Sequence, residues 1–345
     1  MNWHLVWELV KTVGIFSAMM TVVPILVYAE RKISADIQDR IGPNRVGPKG
    51  ILQPIADAIK LLFKEDIIPL SADKVLFVLA PFFAFAPAAV AFCVIPVGNA
   101  VEIGGYTMRL QVADLNVGVL FIFAVGAMSV YGIAFGGWAS NNKFSLLGGL
   151  RSSAQMISYE IPLGLALVSV LMTSGSVSLN EIVLSQTATW GGWLPKWNLF
   201  CQPIGFVIFL IAAFAETNRL PFDLPECEPE LVGGYHTEYS SMKFSMFFMG
   251  EYVAMVVMSS LLVTLFLGGW HFPGMNPASH TILSAILSVC VFSAKVGLIL
   301  FFFIWVRWTL PRFRYDQLMK LGWQGLVPLA MLNIMVTGAV QTMSR

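Results

Sequence analysis

Runs of about 20 apolar residues recur from one end of this chain to the other, each long enough to cross a hydrocarbon core of about 30 Å. Inside lipid every backbone N–H and C=O must find its partner within the protein, so runs of this length are read as helices. Eight candidate spans fall at roughly 7–28, 75–97, 115–137, 157–174, 202–216, 246–267, 282–305 and 323–342. The fourth and fifth have blurred edges, because Pro162 lies near the start of one and Asn180 to Pro195 precedes the other. Only 12% of the 345 residues are charged, about half the share a soluble domain carries. The expected fold class is an all-α polytopic membrane protein of about eight transmembrane helices, forming one integral membrane domain over 1–345.

Charge placement fixes an orientation. The segments after the odd-numbered spans hold Arg31, Lys32, Arg40, Arg45, Lys49, Lys60, Lys64, Lys74, Lys143, Arg151, Arg219, Lys243, Arg307, Arg312, Arg314 and Lys320, sixteen of the 21 Lys and Arg residues. By the positive-inside rule these loops face the cytoplasm, or the matrix of a mitochondrion. An even number of spans then puts both termini on the outer side. The amino-terminal run lacks a basic region and a small-residue cleavage site, so it reads as a retained span.

The first inner segment, 30–74, contains Arg40-Ile41-Gly42-Pro43-Asn44 followed directly by Arg45-Val46-Gly47-Pro48-Lys49. Gly-Pro pairs force turns, so the basic residues there belong to a folded loop. Ile51 to Glu65 then has helical periodicity: Leu52, Ile55, Ile59, Leu62 and Phe63 form one face, and Gln53, Asp57, Lys60 and Lys64 the other. It is too short and too charged to span. Two placements fit, an amphipathic helix in the membrane interface or a helix packed on the bundle.

Ionisable residues inside spans cost about 2.5–3.5 kcal/mol each and normally face the bundle interior or water. Glu160, Glu216, Glu251 and Lys295 are the candidates. Glu160 and Glu216 lie near span ends, where a buried pair or a snorkelling side chain explains them equally well. Glu251 and Lys295 are farther in and favour a polar pathway. Glu216 also opens an inner acidic loop, 216–245, in which Glu216, Asp223, Glu226, Glu228 and Glu230 share one local cation, Arg219. Pro221, Pro225 and Pro229 keep it from forming a regular helix. Crowded carboxylates cannot all ionise cheaply and titrate as a coupled set, which suits a proton relay. An acidic run that docks a basic partner is the plainer alternative.

Redox centres are not built in. Cys93, Cys201, Cys227 and Cys290 form no C-x-x-C pair, and His4, His236, His271 and His280 form no pair suited to haem. No dinucleotide fingerprint or P-loop is present, and no dense basic stripe that would bind nucleic acid. If electrons are involved, a partner supplies them.

Glu30-Arg31-Lys32, Asp39-Arg40-Ile41-Gly42-Pro43-Asn44-Arg45-Val46-Gly47-Pro48, Ser158-Tyr159-Glu160, Ala215-Glu216-Thr217-Asn218-Arg219-Leu220-Pro221-Phe222-Asp223-Leu224-Pro225-Glu226 and Gly234-Tyr235-His236-Thr237-Glu238-Tyr239 together resemble the H subunit of respiratory complex I, the proton-pumping NADH:quinone oxidoreductase. The mitochondrial counterpart is the first organelle-encoded NADH dehydrogenase subunit. The resemblance runs from the first span to the last.

It implies a membrane-arm subunit that joins a quinone chamber to proton-pumping modules, in a bacterial inner (plasma) membrane or the mitochondrial inner membrane. Quinone is then a substrate and nothing is bound covalently, while NADH, FMN and iron–sulfur clusters sit in partner subunits. Those partners are the soluble quinone-site and iron–sulfur subunits, small membrane subunits, antiporter-like pump subunits and membrane lipid. By the same resemblance Arg31, Arg40, Arg45, Asp57 and Lys60 belong to the chamber or its lining. Glu160, Glu216, Asp223, Glu226, Glu228, Glu230 and Glu251 belong to an acidic path, with Arg219 as the cation that tunes it. Some relatives carry a further carboxylate in the third span, where this chain reads Gly126-Ala127-Met128-Ser129-Val130-Tyr131-Gly132. A water or Ser129 is the expected bridge there. The rival readings are a membrane subunit of an energy-converting hydrogenase, a stand-alone transporter, and a scaffold for a soluble arm.

Overall fold

The computed structural model describes residues 3–103, 105–190, 194–224 and 228–343. Its helices in chain order are α1 (Trp3–Ile37), α2 (Gln53–Phe63), α3 (Lys74–Phe92), α4 (Gly118–Ala127), α5 (Ser129–Ala139), α6 (Lys143–Ser174), α7 (Leu179–Ser185), α8 (Asn198–Cys201) and α9 (Pro203–Glu216). They continue with α10 (Glu228–Leu231), α11 (Ser241–Phe266), α12 (Ile282–Thr309), α13 (Tyr315–Lys320) and α14 (Val327–Met343). Among the described residues seven helical stretches are long and apolar enough to cross a membrane, and α9 is a shorter apolar helix. Every predicted span therefore has its helix, and the chain is an all-α polytopic membrane protein. One antiparallel hairpin, β1 (Gly98–Ile103) with β2 (Tyr106–Leu110), is pinned to α12 by the Ser288 hydroxyl, which accepts from the Asn99 N–H at 2.8 Å.

Local chemistry explains where the spans begin. Asp73 caps α3 by accepting from the Val75 and Leu76 N–H groups, and Asn142 caps α6 by accepting from the Phe144 N–H. That cap starts α6 well before the predicted 157, and the helix runs through Pro162 without a break, so Glu160 lies in mid-helix. Likewise α1 continues to Ile37, which puts Glu30, Arg31 and Lys32 on its last turns and not on the loop. The loop proper starts beyond it, and its turns need glycine: a Cβ on Gly50, where φ is +81°, would lie 2.2 Å from the Pro43 carbonyl oxygen. Near the carboxyl end Pro328 withholds the donor that an α-helix would aim at the Gln324 carbonyl, and the chain widens to a π-helix over Leu321–Leu326.

α2 lies across the carboxyl end of α1 and the amino end of α11. Arg31 pairs with Asp57 at 2.6 Å, and the Ser241 hydroxyl donates to the Leu61 carbonyl at 3.0 Å. These contacts use its polar side. Ile55, Ile59, Leu62 and Phe63 are exposed, so its apolar face is turned away from the bundle.

α3, α5 and α11 meet at closest approach around Ala84. A Cβ on Gly132 would sit 2.3 Å from the Ala84 backbone nitrogen, and one on Gly250 would sit 3.2 Å from its carbonyl oxygen. Small residues at helix crossings let backbones approach, which is how packing replaces the hydrophobic drive that lipid removes. The crossing also sets Glu251, the next residue, against α3 and α5. Gly132→Ala is expected to cost about 1–3 kcal/mol by overpacking and to lower the midpoint in a thermal-shift assay on the detergent-solubilised protein. Gly164→Ala, whose added carbon meets nothing within 4 Å, is the matched control and is expected to leave the midpoint unchanged.

Candidate functional site

Two polar groups, the first buried and the second half-buried, face each other across the turn that follows α9. The first is centred on Glu30, which is 4% exposed. Arg219, from the turn and 3% exposed, donates through Nη1 to both of its oxygens, at 3.0 and 2.9 Å. The Tyr252 hydroxyl of α11 donates to Oε2 at 2.7 Å, and Arg307 of α12 donates to Oε1. The Arg219 guanidinium also lies 4.3 Å from the centre of the Tyr252 ring. Burial works against the charge on Arg219, but Glu30, Tyr252 and Glu251 together outweigh it and hold the guanidinium above its ordinary pKa. One carboxylate and two guanidiniums leave this cluster with a net positive charge near the carboxyl ends of α1 and α12.

The second group is a line of carboxylates. Glu216, the last residue of α9, has a buried Oε2 without a hydrogen-bond partner. It lines two small cavities at once. One, of about 30 Å³, is also lined by Glu251, Tyr235, Asn218 and Ser129. The other, of about 20 Å³, is also lined by Glu160, Gly126 and Ala127. A water needs about 10–15 Å³ of such space together with polar partners, so each cavity can hold one or two. The Tyr235 hydroxyl donates to Glu251 Oε1 at 3.3 Å. Glu216 thus stands between Glu251 on one side and Glu160 on the other. The third span is interrupted at Met128, between α4 and α5, and lines both cavities there. It contributes Ser129 where a carboxylate was sought.

The sequence matches the family model described as NADH dehydrogenase over residues 10–338. It is 51% identical to an H subunit of the NADH-quinone oxidoreductase of Cytophaga hutchinsonii over 331 residues, 94% of each chain. It is 53% identical to an H subunit of the Geobacter metallireducens enzyme over 331 residues, 96% of this chain and 95% of the relative. It is also 48% identical to the H subunit of the Flavobacterium johnsoniae enzyme over 336 residues, 96% and 94% of the two. The chain belongs to the NADH dehydrogenase family. Within it the chain is a membrane-embedded H subunit of NADH-quinone oxidoreductase, as its motifs led us to expect.

In this H subunit the residues singled out from sequence are distributed unevenly. Glu160, Glu216 and Glu251 come together at the two cavities. Arg219, expected beside the acidic residues that surround it in sequence, directs its guanidinium to Glu30 instead. Asp223 is buried and accepts from Arg312 at 2.8 Å, while Glu230 is exposed and pairs with Arg151 at 2.7 Å. Glu226 and the side chain of Glu228 lie outside the described residues. Arg31 and Asp57 join α1 to α2, whereas Arg40, Arg45 and Lys60 are exposed.

Lys295 is apart from all of these. Its ammonium donates to the carbonyls of Leu267, Gly269 and His271 at 2.6, 3.0 and 2.7 Å, and so caps the far end of α11. From Glu251 to Leu267 that helix rises about 24 Å, at 1.5 Å per residue. Glu30, Tyr252, Arg307 and Tyr235 went unrecognised as site residues. Glu30 and Arg307 carried a faint signal, opposite charges at the ends of two apolar runs. Their pairing joins residues 277 positions apart, which no local pattern contains.

Proposed function

We propose that this protein contributes to the quinone-binding chamber of NADH-quinone oxidoreductase and couples quinone reduction to proton translocation through its buried carboxylates. The observation that carries the proposal is Glu216 at the junction of two water-sized cavities, with Glu251 on one and Glu160 on the other. A carboxylate in that position can take a proton through one cavity and release it through the other. Asp223, Glu226, Glu228 and Glu230 would extend the line toward the inner surface.

The chamber end of the proposal is supported by an apolar groove of about 540 Å³ between α1, α11 and α12. It runs along α1 from Gly14 to Ile33, a rise of about 28 Å, close to the thickness of a hydrocarbon core. Its inner end reaches Ile33 and Ile304, within a turn of Glu30 and Arg307. A long-tailed quinone could enter sideways along it, with its headgroup passing the positive cluster and the basic loop. NADH, FMN and the iron–sulfur clusters would reside in soluble partners, which deliver the electrons. Negative charge arising on the reduced quinone would be answered by Arg31, Arg40, Arg45 and Lys60, and the altered field would reset the carboxylates. Small membrane subunits and antiporter-like pumps would take up the signal. In this reading α2 rests its exposed apolar face in the inner leaflet, the large loops face the cytoplasm or matrix, and both termini lie outside. Lys295 would stand at the outer end of the route.

A photoreactive quinone, applied to the intact membrane complex and competed by unlabelled quinone, tests the chamber. Labelled peptides are expected within 30–64 or 216–230. Competable label found in partner subunits alone would remove the chamber from this chain.

A further inference from the structure

α6 presents Ser152, Gln155 and Tyr159 along one face, spaced three and four apart, to the turn between α9 and the acidic loop. The Tyr159 ring packs edge-on against Phe222, with centres 5.4 Å apart, and its hydroxyl donates to the Leu318 carbonyl at 2.8 Å. One turn earlier, Gln155 has no exposed surface. Its side-chain NH2 donates to the Ala215 carbonyl at 2.8 Å and to the Phe222 carbonyl at 2.8 Å, with Asn218 Oδ1 a third, longer contact at 3.3 Å. An amide NH2 has two protons, and the two short bonds use both.

The accepting carbonyls bracket the segment that carries Glu216 and Arg219. Within the turn the Thr217, Asn218 and Arg219 N–H groups return to the Ala213, Ala215 and Phe214 carbonyls at 3.1, 3.3 and 3.2 Å. The Phe222 N–H returns to the Arg219 carbonyl at 2.8 Å, and Asn218 adopts a left-handed φ of 49°. These bonds are local, whereas Gln155 donates to both ends. We infer that Gln155 is a positioning residue for the quinone reaction. By clamping both ends of the turn, one side chain holds Glu216 at the junction of the cavities and Arg219 on Glu30. The carboxylate line and the positive cluster then share a single mechanical reference, and a shift of one displaces the other. This inference rests on the reading of Glu216 as the coupling carboxylate.

Gln155→Met keeps the length and removes the donor. In the assembled complex it is expected to cut quinone-dependent turnover about tenfold, with quinone KM altered less than about twofold, because misplacement harms the reacting geometry more than the binding. NADH oxidation with an artificial acceptor should be unchanged. Gln155→Glu adds a signature that a space-filling role would not give. Its protonated acid offers one donor and its carboxylate none, so turnover should exceed that of Gln155→Met at low pH and fall to the same level as pH rises. Wild-type turnover in Gln155→Met overturns the inference, as do identical pH profiles for the two impaired variants. Should Gln155→Met not assemble, Gln155→Glu carries the test, and a profile with no alkaline loss relative to wild type overturns it. Glu216→Gln is measured in parallel. If it is impaired while Gln155→Met is not, only the role of Gln155 falls; if it behaves as wild type, the underlying reading falls.

Discussion

Replacing Arg219 with alanine is expected to reduce quinone-dependent turnover by about 100-fold or more, and to reduce the amount of assembled complex as well. The guanidinium is almost wholly buried, makes two hydrogen bonds to Glu30 and lies over Tyr252. Breaking a buried ion pair from one side costs about 3–5 kcal/mol, because the remaining charge has lost its compensation. Here Arg307 still reaches Glu30, so the lower part of that range is expected for folding. Function suffers more, since the cluster changes from net positive to neutral beside the end of the apolar groove lined by Ile33 and Ile304. Arg219→Lys restores the charge without the two-point contact and should recover part of the turnover. The measurement is NADH-driven quinone reduction set against NADH oxidation with an artificial acceptor, normalised to assembled complex. Turnover within about twofold of wild type in Arg219→Ala would show that the cluster is only structural. A Glu30→Gln, Arg219→Ala double variant should assemble no better than Arg219→Ala alone, because it strips Arg307 of the carboxylate that the single variant leaves it.

Glu216→Gln should give the opposite balance, a large functional loss with little structural damage. The amide occupies nearly the same space, and Glu216 Oε2 has no hydrogen bond to lose. What disappears is a group able to bind and release a proton between the two cavities. Quinone reduction coupled to pumping is expected to fall by about tenfold or more, a contribution of the size general acid–base groups make. Assembly and NADH oxidation with an artificial acceptor should be unaffected. A wild-type ratio of protons moved to electrons passed would remove Glu216 from the route.

The legible part of the molecule was the part written in local patterns. All the spans could be read from apolar runs because a bilayer leaves the backbone no alternative to helix. The amphipathic helix after the first loop was legible from its spacing, and the structure realises it at Gln53–Phe63. Glu216 and Glu251 stood out because an ionisable residue in such a run is costly. The start of α6 was misread because Gln155 and its polar neighbours lower the apolar signal. Of these, Ser152 and Gln155 are buried against the turn at 215–222.

The sequence by itself determined the class of fold, the span count, the family and the identity of most candidate acids. Each follows from a short stretch of chain and its cost in water or lipid. Only the tertiary structure decided who meets whom. Arg219 sits three residues from Glu216, yet its charge is matched by Glu30, 189 positions away. Glu160, Glu216 and Glu251 come from α6, α9 and α11, and they converge because those three helices pack around two shared cavities. Lys295, read from sequence as one more charge in the membrane, faces carbonyls at the other end of α11. The cost of burying a charge is a local property of the chain, whereas the partner that offsets it is chosen by helix packing.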